Sequence, residues 1–143
     1  MRVSIVKIDA SNAGLLDRVA ADVFDGPIDS GRLGAFLADG RHTLIVAMAD
    51  GLVVGQASGM EYLHPDKPPQ FFFNEVGVSP DWSSRGIGRQ LSAALIEEAR
   101  ARGCESIWLA TAVDNTPAHR CFEAVPEGEP PQMCRIYAWD LAD

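Results

Sequence analysis

The stretch from Phe71 to Arg89 constrains the fold of this chain more than any other. Phe71 to Val78 is a strongly apolar run closed by Ser79-Pro80, which predicts a buried strand. From Ile87 the period changes. Leu91, Ala94, Leu95, Ile96 and Ala99 follow at three- and four-residue intervals, predicting an amphipathic helix that stops at Gly103. Arg85-Gly86-Ile87-Gly88-Arg89 lies between them, and Ser106 to Thr111 reads as the next strand. A strand, helix, strand crossover of this kind is right-handed and makes its strands parallel neighbours. A ligand is then expected at the carboxyl ends of those strands, where the helix begins.

The rest of the chain fits around that unit. The amino terminus, through Lys7, alternates apolar and polar residues and reads as a first strand. Ser11 is placed to cap a helix carrying Leu15, Leu16, Val19, Ala20 and Val23 and ending near Phe24. After the turn Asp25-Gly26-Pro27-Ile28, Asp29 can cap a short second helix with Leu33, Phe36 and Leu37 inward, closed by Asp39-Gly40. Thr43–Ala49 and Leu52–Tyr62 form a hairpin through Asp50-Gly51, a pair suited to positive φ. His64 to Gln70 is a proline-rich loop, Asn115 to Phe122 a short helix, Glu123 to Pro131 a loop, and Gln132 to Leu141 a last alternating strand. The order β-α-α-β-β-β-α-β-α-β predicts an α/β fold, one mixed sheet with helices on both faces.

With 143 residues, 47% apolar and 22% charged, the chain has the size and composition of one folded domain, taken as 1–143. Its formal charge of −8 repels phosphate backbones and anionic lipid, so neither nucleic acid nor membrane is an expected partner. Cys104, Cys121 and Cys134 show no C-x-x-C spacing, which indicates reduced thiols in a cytoplasmic setting and no metal site. No apolar run reaches the ~18 residues of a membrane helix, and the amino terminus lacks a signal peptide's apolar core.

Glycines at the head of a helix let successive N–H groups approach an anion, and the helix dipole assists. Arg85 to Arg89 can therefore cradle a pyrophosphate, the alternative being a plain tight turn. Gly77 inside a packed strand points to a bulge that frees the N–H groups of Val76 and Val78, or to a close approach of two backbones. Glu75 is the one carboxylate in its run, and there it is paired, protonated or used. It is a candidate general base, the alternative being a salt bridge to an arginine of a neighbouring helix. His119 and Cys121 lie two apart on a helix and face different directions, which argues against a working thiol pair.

Ser83-Ser84-Arg85-Gly86-Ile87-Gly88 resembles the R/Q-x-x-G-x-G/A signature of the GCN5-related N-acetyltransferases, with Ser83 where that family has Arg or Gln. Asn115-x-x-Ala118 followed by Phe122 is similar to the family's N-x-x-A-x-x-x-Y segment, and the element order matches throughout. Asp66-Lys67-Pro68-Pro69 ahead of Asn74 to Val78 is similar to the aminoglycoside 3-N-acetyltransferase branch. The resemblance implies acetyl-CoA as co-substrate, held by Val76, Gly77, Val78, Ser84, Arg85, Gly86, Ile87, Gly88, Arg89, Asn115, Ala118 and Phe122. It implies direct acetyl transfer to a primary amine, with the thioester carbonyl polarised by the backbone of Val76 to Val78. Phe122 stands where many members carry a thiolate-protonating tyrosine. The acidic balance, with Asp22, Asp25, Asp29 and Glu61, points to a small cationic acceptor such as an aminoglycoside or polyamine, and Asp25 and Glu61 are the substrate-binding candidates. Other readings are a protein or peptide acetyltransferase and a noncatalytic acyl-CoA-binding module. A homodimer is one assembly the sequence allows.

Overall fold

The computed structural model describes residues 2–142. Met1, part of the expected first strand, and Asp143 lie outside the described residues. The strands are β1 (Ser4–Lys7), β2 (His42–Ala49), β3 (Leu52–Tyr62), β4 (Gln70–Val78) and β5 (Ile107–Trp108). The helices are α1 (Ser30–Ala38), α2 (Ile87–Ala101) and α3 (Thr116–Glu123), with single 3₁₀ turns at Ala13–Asp17 and Pro80–Trp82. The sheet runs in the order β1-β2-β3-β4-β5, with antiparallel pairs except for β4 and β5, which are parallel. The mixed α/β architecture and the crossover through α2 are as expected.

Helices cover both sheet faces. Leu91, Leu95 and Ala99 of α2 pack on Ile45, Ala47, Ala57, Phe71 and Phe73. On the other face Leu44, Val46, Met48 and Val53 meet Leu33, Phe36 and Leu37 of α1, together with Leu16 and Val23. Several local signals hold. Asp50 (φ 51°) and Gly51 (φ 76°) make the β2–β3 turn. The Asp29 carboxylate accepts from the N–H of Arg32 at 2.8 Å, capping α1. The α2 helix gives way at Gly103, whose φ is 76°.

Two expected elements differ. The helix expected from Ser11 to Phe24 is only the 3₁₀ turn at Ala13–Asp17. Ser11 caps nothing, and its hydroxyl donates to Asp9 instead. The chain beyond the turn lies along β3, where Val53 donates to the Arg18 carbonyl and accepts from Ala20. Strand pairing of β-branched Val19 with Val53 thus overrides the helical spacing. The strand expected at Gln132–Leu141 also does not form. Residues 126–142 are exposed throughout, and no neighbouring strand offers them a ladder. Ser106–Thr111 is likewise paired only at Ile107 and Trp108.

Candidate active site

Register decides where the β4 side chains point. Phe73 pairs with Gly59 and Glu75 with Ser58, so Asn74 is an extra residue in the ladder, a β-bulge. Upstream of it Phe71 and Phe73 point to α2, and downstream Val76 and Val78 do. Were Asn74 paired in a regular ladder instead of bulged, Glu75 would share the face of Phe71 and Phe73 and enter the α2 core. The bulge turns its carboxylate to the opposite face. There it lines a cavity of about 430 Å³ with Gln56, Ser58, the segment Phe24–Asp29, and Arg32, Leu33 and Phe36 of the α1 region. A second cavity, about 640 Å³, shares the wall from Phe24 to Ile28.

Glu75 is half-buried and accepts a hydrogen bond from Gln56 Nε2 at 2.8 Å. The same nitrogen donates to the Val23 carbonyl at 3.3 Å, so two acceptors fix the amide's orientation. Gln56 Oε1 is buried with no partner among the described residues. An orphaned acceptor of this kind costs ~1–3 kcal/mol, a penalty consistent with holding the carboxylate in one place. Among the described residues Glu75 makes no ion pair, and its partner is the Gln56 amide in place of the arginine that the sequence offered as an alternative. Sequence reasoning passes over Gln56, although a lone amide in the run Val53-Val54-Gly55-Gln56-Ala57 is the same kind of signal that singles out Glu75.

The expected bulge at Gly77 is absent, because Gly77 pairs regularly with Gln56. A Cβ there would lie 2.4 Å from the Val23 carbonyl oxygen, so glycine serves close backbone approach. The outward N–H groups have another origin. Ser79 donates to Val54 of β3. By alternation Gly77 and Glu75 also face β3, while the N–H groups of Val76 and Val78 face the β5 side. Since β5 pairs only with Phe71 and Phe72, the strands part beyond that point and leave a cleft along Val76 to Val78.

The head of α2 closes one end of this region. Ser84 (φ 60°) and Gly86 (φ 77°) both adopt left-handed conformations, and no side chain caps the helix. Gln90 donates to the Gly86 carbonyl at 3.0 Å as the first helical bond, so the N–H groups of Ile87, Gly88 and Arg89 precede the ladder. Ile87 buries its side chain and offers only its backbone. The Arg85 guanidinium stands 4.7 Å over the Trp82 ring, and Arg89 is exposed. A Cβ on Gly88 would meet Cys121 Sγ at 3.1 Å and a Val78 methyl at 3.9 Å, which places α3 and the end of β4 beside this turn. These open donors, two guanidinium groups and an adjoining cleft fit a pyrophosphate with an extended thiol-bearing arm.

Other candidates are placed as follows. Asn115 Oδ1 accepts from the Ala118 N–H at 3.2 Å, which caps α3 and occupies both groups. Phe122 packs edge-on against Phe73, centroids 5.7 Å apart. Burial pushes the Cys121 thiol above its ordinary value, against smaller opposing effects of Ser92 and Arg89, and keeps it neutral. Asp25 lines both cavities and Asp22 the second, and Asp29, which also lines the first, is occupied as the α1 cap. Glu61 lies outside this group. Its carboxylate pairs with Arg102 at 3.3 Å, and the same guanidinium binds Thr43 and the Gly40 carbonyl. That ties the end of α2 to β2 and β3, remote from Glu75. No group of metal-ligating side chains occurs among the described residues, and no helix there is long and apolar enough to cross a membrane.

Residues 16–125 match the acetyltransferase (GNAT) family, and the chain belongs to it. It is 30% identical over 102 residues to aminoglycoside N(6')-acetyltransferase type 1 of Salmonella typhimurium, covering 64% of this chain and 70% of that protein. It is 31% identical over 98 residues to L-2,4-diaminobutyric acid acetyltransferase of Nocardia farcinica, covering 68% of this chain and half (50%) of that protein. With mycothiol acetyltransferase of Saccharopolyspora erythraea it shares 36% identity over 61 residues, 43% of this chain and only 20% of the larger protein. The fold is also that of an aminoglycoside acetyltransferase from an uncultured soil metagenomic sample, solved with trehalose. There the TM-score is 0.81 at 17% identity, over 96% of this chain and 95% of the other.

Proposed function

We propose that this chain is an acetyl-CoA-dependent N-acetyltransferase that transfers the acetyl group directly to a primary amine of a small cationic molecule. The observation that carries the reading is the bulge at Asn74. It aims the Glu75 carboxylate into a cavity while the next residues, Val76 and Val78, turn their N–H groups into the adjoining cleft. A base for the amine and donors for the thioester carbonyl thus come from consecutive residues of one strand.

An alkylamine with a pKa of about 10 arrives as an ammonium. Glu75, held by Gln56, pairs with it and accepts a proton, directly or through water, leaving a neutral nitrogen. That nitrogen forms the bond to the thioester carbon as the carbon–sulfur bond breaks, and the outward N–H groups of Val76 and Val78 stabilise the charge that gathers on the carbonyl oxygen. The head of α2, from Ser84 to Arg89, holds the pyrophosphate of the co-substrate, and α3 with Asn115, Ala118 and Phe122 forms the flank seated on Gly88. Phe122 offers no proton. A thiol with a pKa of about 8.5 can depart as the anion, and the second proton that the nitrogen sheds on becoming an amide reaches that sulfur through solvent, while Glu75 returns its own proton to solvent.

Asp25, at the wall common to both cavities, is the acidic residue placed to attract a cationic acceptor. The 6'-acetyltransferase and diaminobutyrate relatives, by their names, act on small amines, which supports this class. A cytoplasmic setting goes with this reading, and the free thiols of Cys104, Cys121 and Cys134 suit a reducing compartment. The test is Glu75→Gln in an assay of free-thiol release over an amine panel. Turnover is expected to fall roughly 10²–10⁴-fold with CoA affinity unchanged. Unaltered turnover removes Glu75 from the reaction. An acceptor KM for a polyamine that stays flat while salt shortens the screening length from ~10 Å to ~3 Å argues against the acidic wall.

A further inference from the structure

Gln56 is fully buried in an otherwise apolar stretch of β3. The ladder sets it opposite Gly77 of β4 and two residues from Ser58, the partner of Glu75. Because Gly77 has no side chain, the amide can cross diagonally toward Glu75; a Cβ there would lie 3.6 Å from Nε2. Nε2 carries two hydrogens and both are engaged, one with Glu75 Oε1 at 2.8 Å and one with the Val23 carbonyl at 3.3 Å. A flipped amide would set its oxygen against two oxygens, so the group meets Glu75 only as a donor. Its own Oε1 has no partner among the described residues. A methionine of similar length would fill the same space without an orphaned oxygen, so packing does not account for an amide here.

A guanidinium in this place would also hold the carboxylate, but it would cancel the charge that draws an ammonium into the cavity. The neutral amide orients Glu75 and leaves that charge in place. It also makes the two carboxylate oxygens unequal. Oε1 is tied, whereas Oε2 has no hydrogen bond among the described residues and is not sealed from solvent. The second hydrogen of Nε2 connects this arrangement to Val23, the residue before the cavity wall Phe24–Asp29. We propose that Gln56 is a positioning residue that fixes Oε1 of Glu75 and sets the carboxylate relative to the acceptor wall through Val23, so that Oε2 is the atom that takes the amine's proton. The proton leaves the ammonium for a lone pair of Oε2, directly or through one water, and the N–H electron pair stays on nitrogen to attack the thioester carbon. This inference rests on the acetyltransferase reading with Glu75 as its base.

The test is a double-mutant cycle on the full chain, with CoA release from acetyl-CoA and the fastest amine of the panel as the assay. Gln56→Met is expected to lower kcat roughly 10- to 100-fold, the effect of misplacing a reacting group by about 1 Å, with the Kd for CoA unchanged. Its Tm is expected to stay within about 3 °C of the parent, because removing the orphaned oxygen offsets losing the long bond to Val23. On a Glu75→Gln background the same substitution is expected to have no further effect, since it acts only through that carboxylate. Gln56→Asn serves where methionine disturbs the fold. Its amide stops roughly 1.5 Å short of Glu75, so it is expected to be slow as well. Parental kcat in a Gln56 variant beside a slow Glu75→Gln, or a further loss on the Glu75→Gln background, overturns this inference alone. Parental turnover by Glu75→Gln, or a parent that accepts no amine, overturns the underlying reading and this inference with it.

Discussion

Gly77→Ala tests the close approach on which the site's back wall depends. The added Cβ would stand 2.4 Å from the Val23 carbonyl oxygen, 3.4 Å from its carbon and 3.6 Å from Gln56 Nε2. Ordinary contact begins at 3.4 Å, so that carbonyl would have to retreat by about 1 Å, and overpacking of this kind costs ~1–3 kcal/mol. Retreat is hindered, since Val23 is 2% exposed within the cluster of Ile8, Leu16, Leu44 and Val46. At a mid-range ~2 kcal/mol, a domain of this size should lose about 5–10 °C in Tm. Urea melts with unchanged m values would isolate the stability term. Because the Val23 carbonyl also accepts from Gln56, the amide's hold on Glu75 loosens, so acceptor turnover should fall while CoA affinity stays the same. Gly34→Ala is the control. Its Cβ meets nothing within 4 Å, and in the middle of α1 it should stabilise by ~0.5–1 kcal/mol. If Gly77→Ala melts with the parent, the close approach is not what requires glycine.

Other outcomes follow from features at a distance. Gly86→Asp puts a side chain at φ 77° and a negative charge at the head of α2, so the Kd for CoA by calorimetry should rise at least ~10-fold, and parental affinity would displace the pyrophosphate site. Deleting Asn74 removes the bulge but leaves Glu75 next to Phe73 in strict alternation, still on the cavity face, so thiol release should survive within about 10-fold; a loss of roughly 10²-fold or more would contradict the assignment of the α2 and cavity faces along β4. Burial would raise the Glu98 carboxyl, but Lys7 at 2.6 Å and Arg102 at 3.2 Å outweigh it and hold it below its ordinary value. A carboxyl lowered on folding stabilises above its unfolded pKa, and that contribution is lost as pH falls through the folded one. Glu98→Gln should therefore flatten the acid side of the stability profile below about pH 4.5, measured by urea unfolding, and an unchanged slope would count against the pairing.

The parts legible in the sequence are those governed by local chemistry. Asp50-Gly51 specifies its turn, Asp29 its cap, and the spacing from Ile87 to Ala99 its helix, each through interactions within a few residues. What the sequence conceals depends on partners far along the chain. Nothing near Val19 announces that it lies beside Val53, so the spacing of Leu15, Leu16 and Val23 suggests a helix. Gln132 to Leu141 has every local mark of a strand, yet a strand exists only beside another. Glu61 reads as a rim acid, and only the fold brings its partner Arg102 to it. Glu75 stands out as an unusual carboxylate in an apolar run, but the insertion that aims it is visible only in the register with β3.

That single extra residue divides β4 into two zones with separate mutational fates. Upstream, Phe71 and Phe73 sit on the α2 core, so substitutions there should register as lost stability. Downstream, Glu75 faces a cavity and the outward backbone of Val76 and Val78 faces a cleft, so changes there should register first as altered turnover. The core half can then drift in packing without re-aiming the carboxylate, and the reactive half can be retuned for another amine without unsettling the core. A substrate range can diverge on such a strand while the fold that carries it stays put.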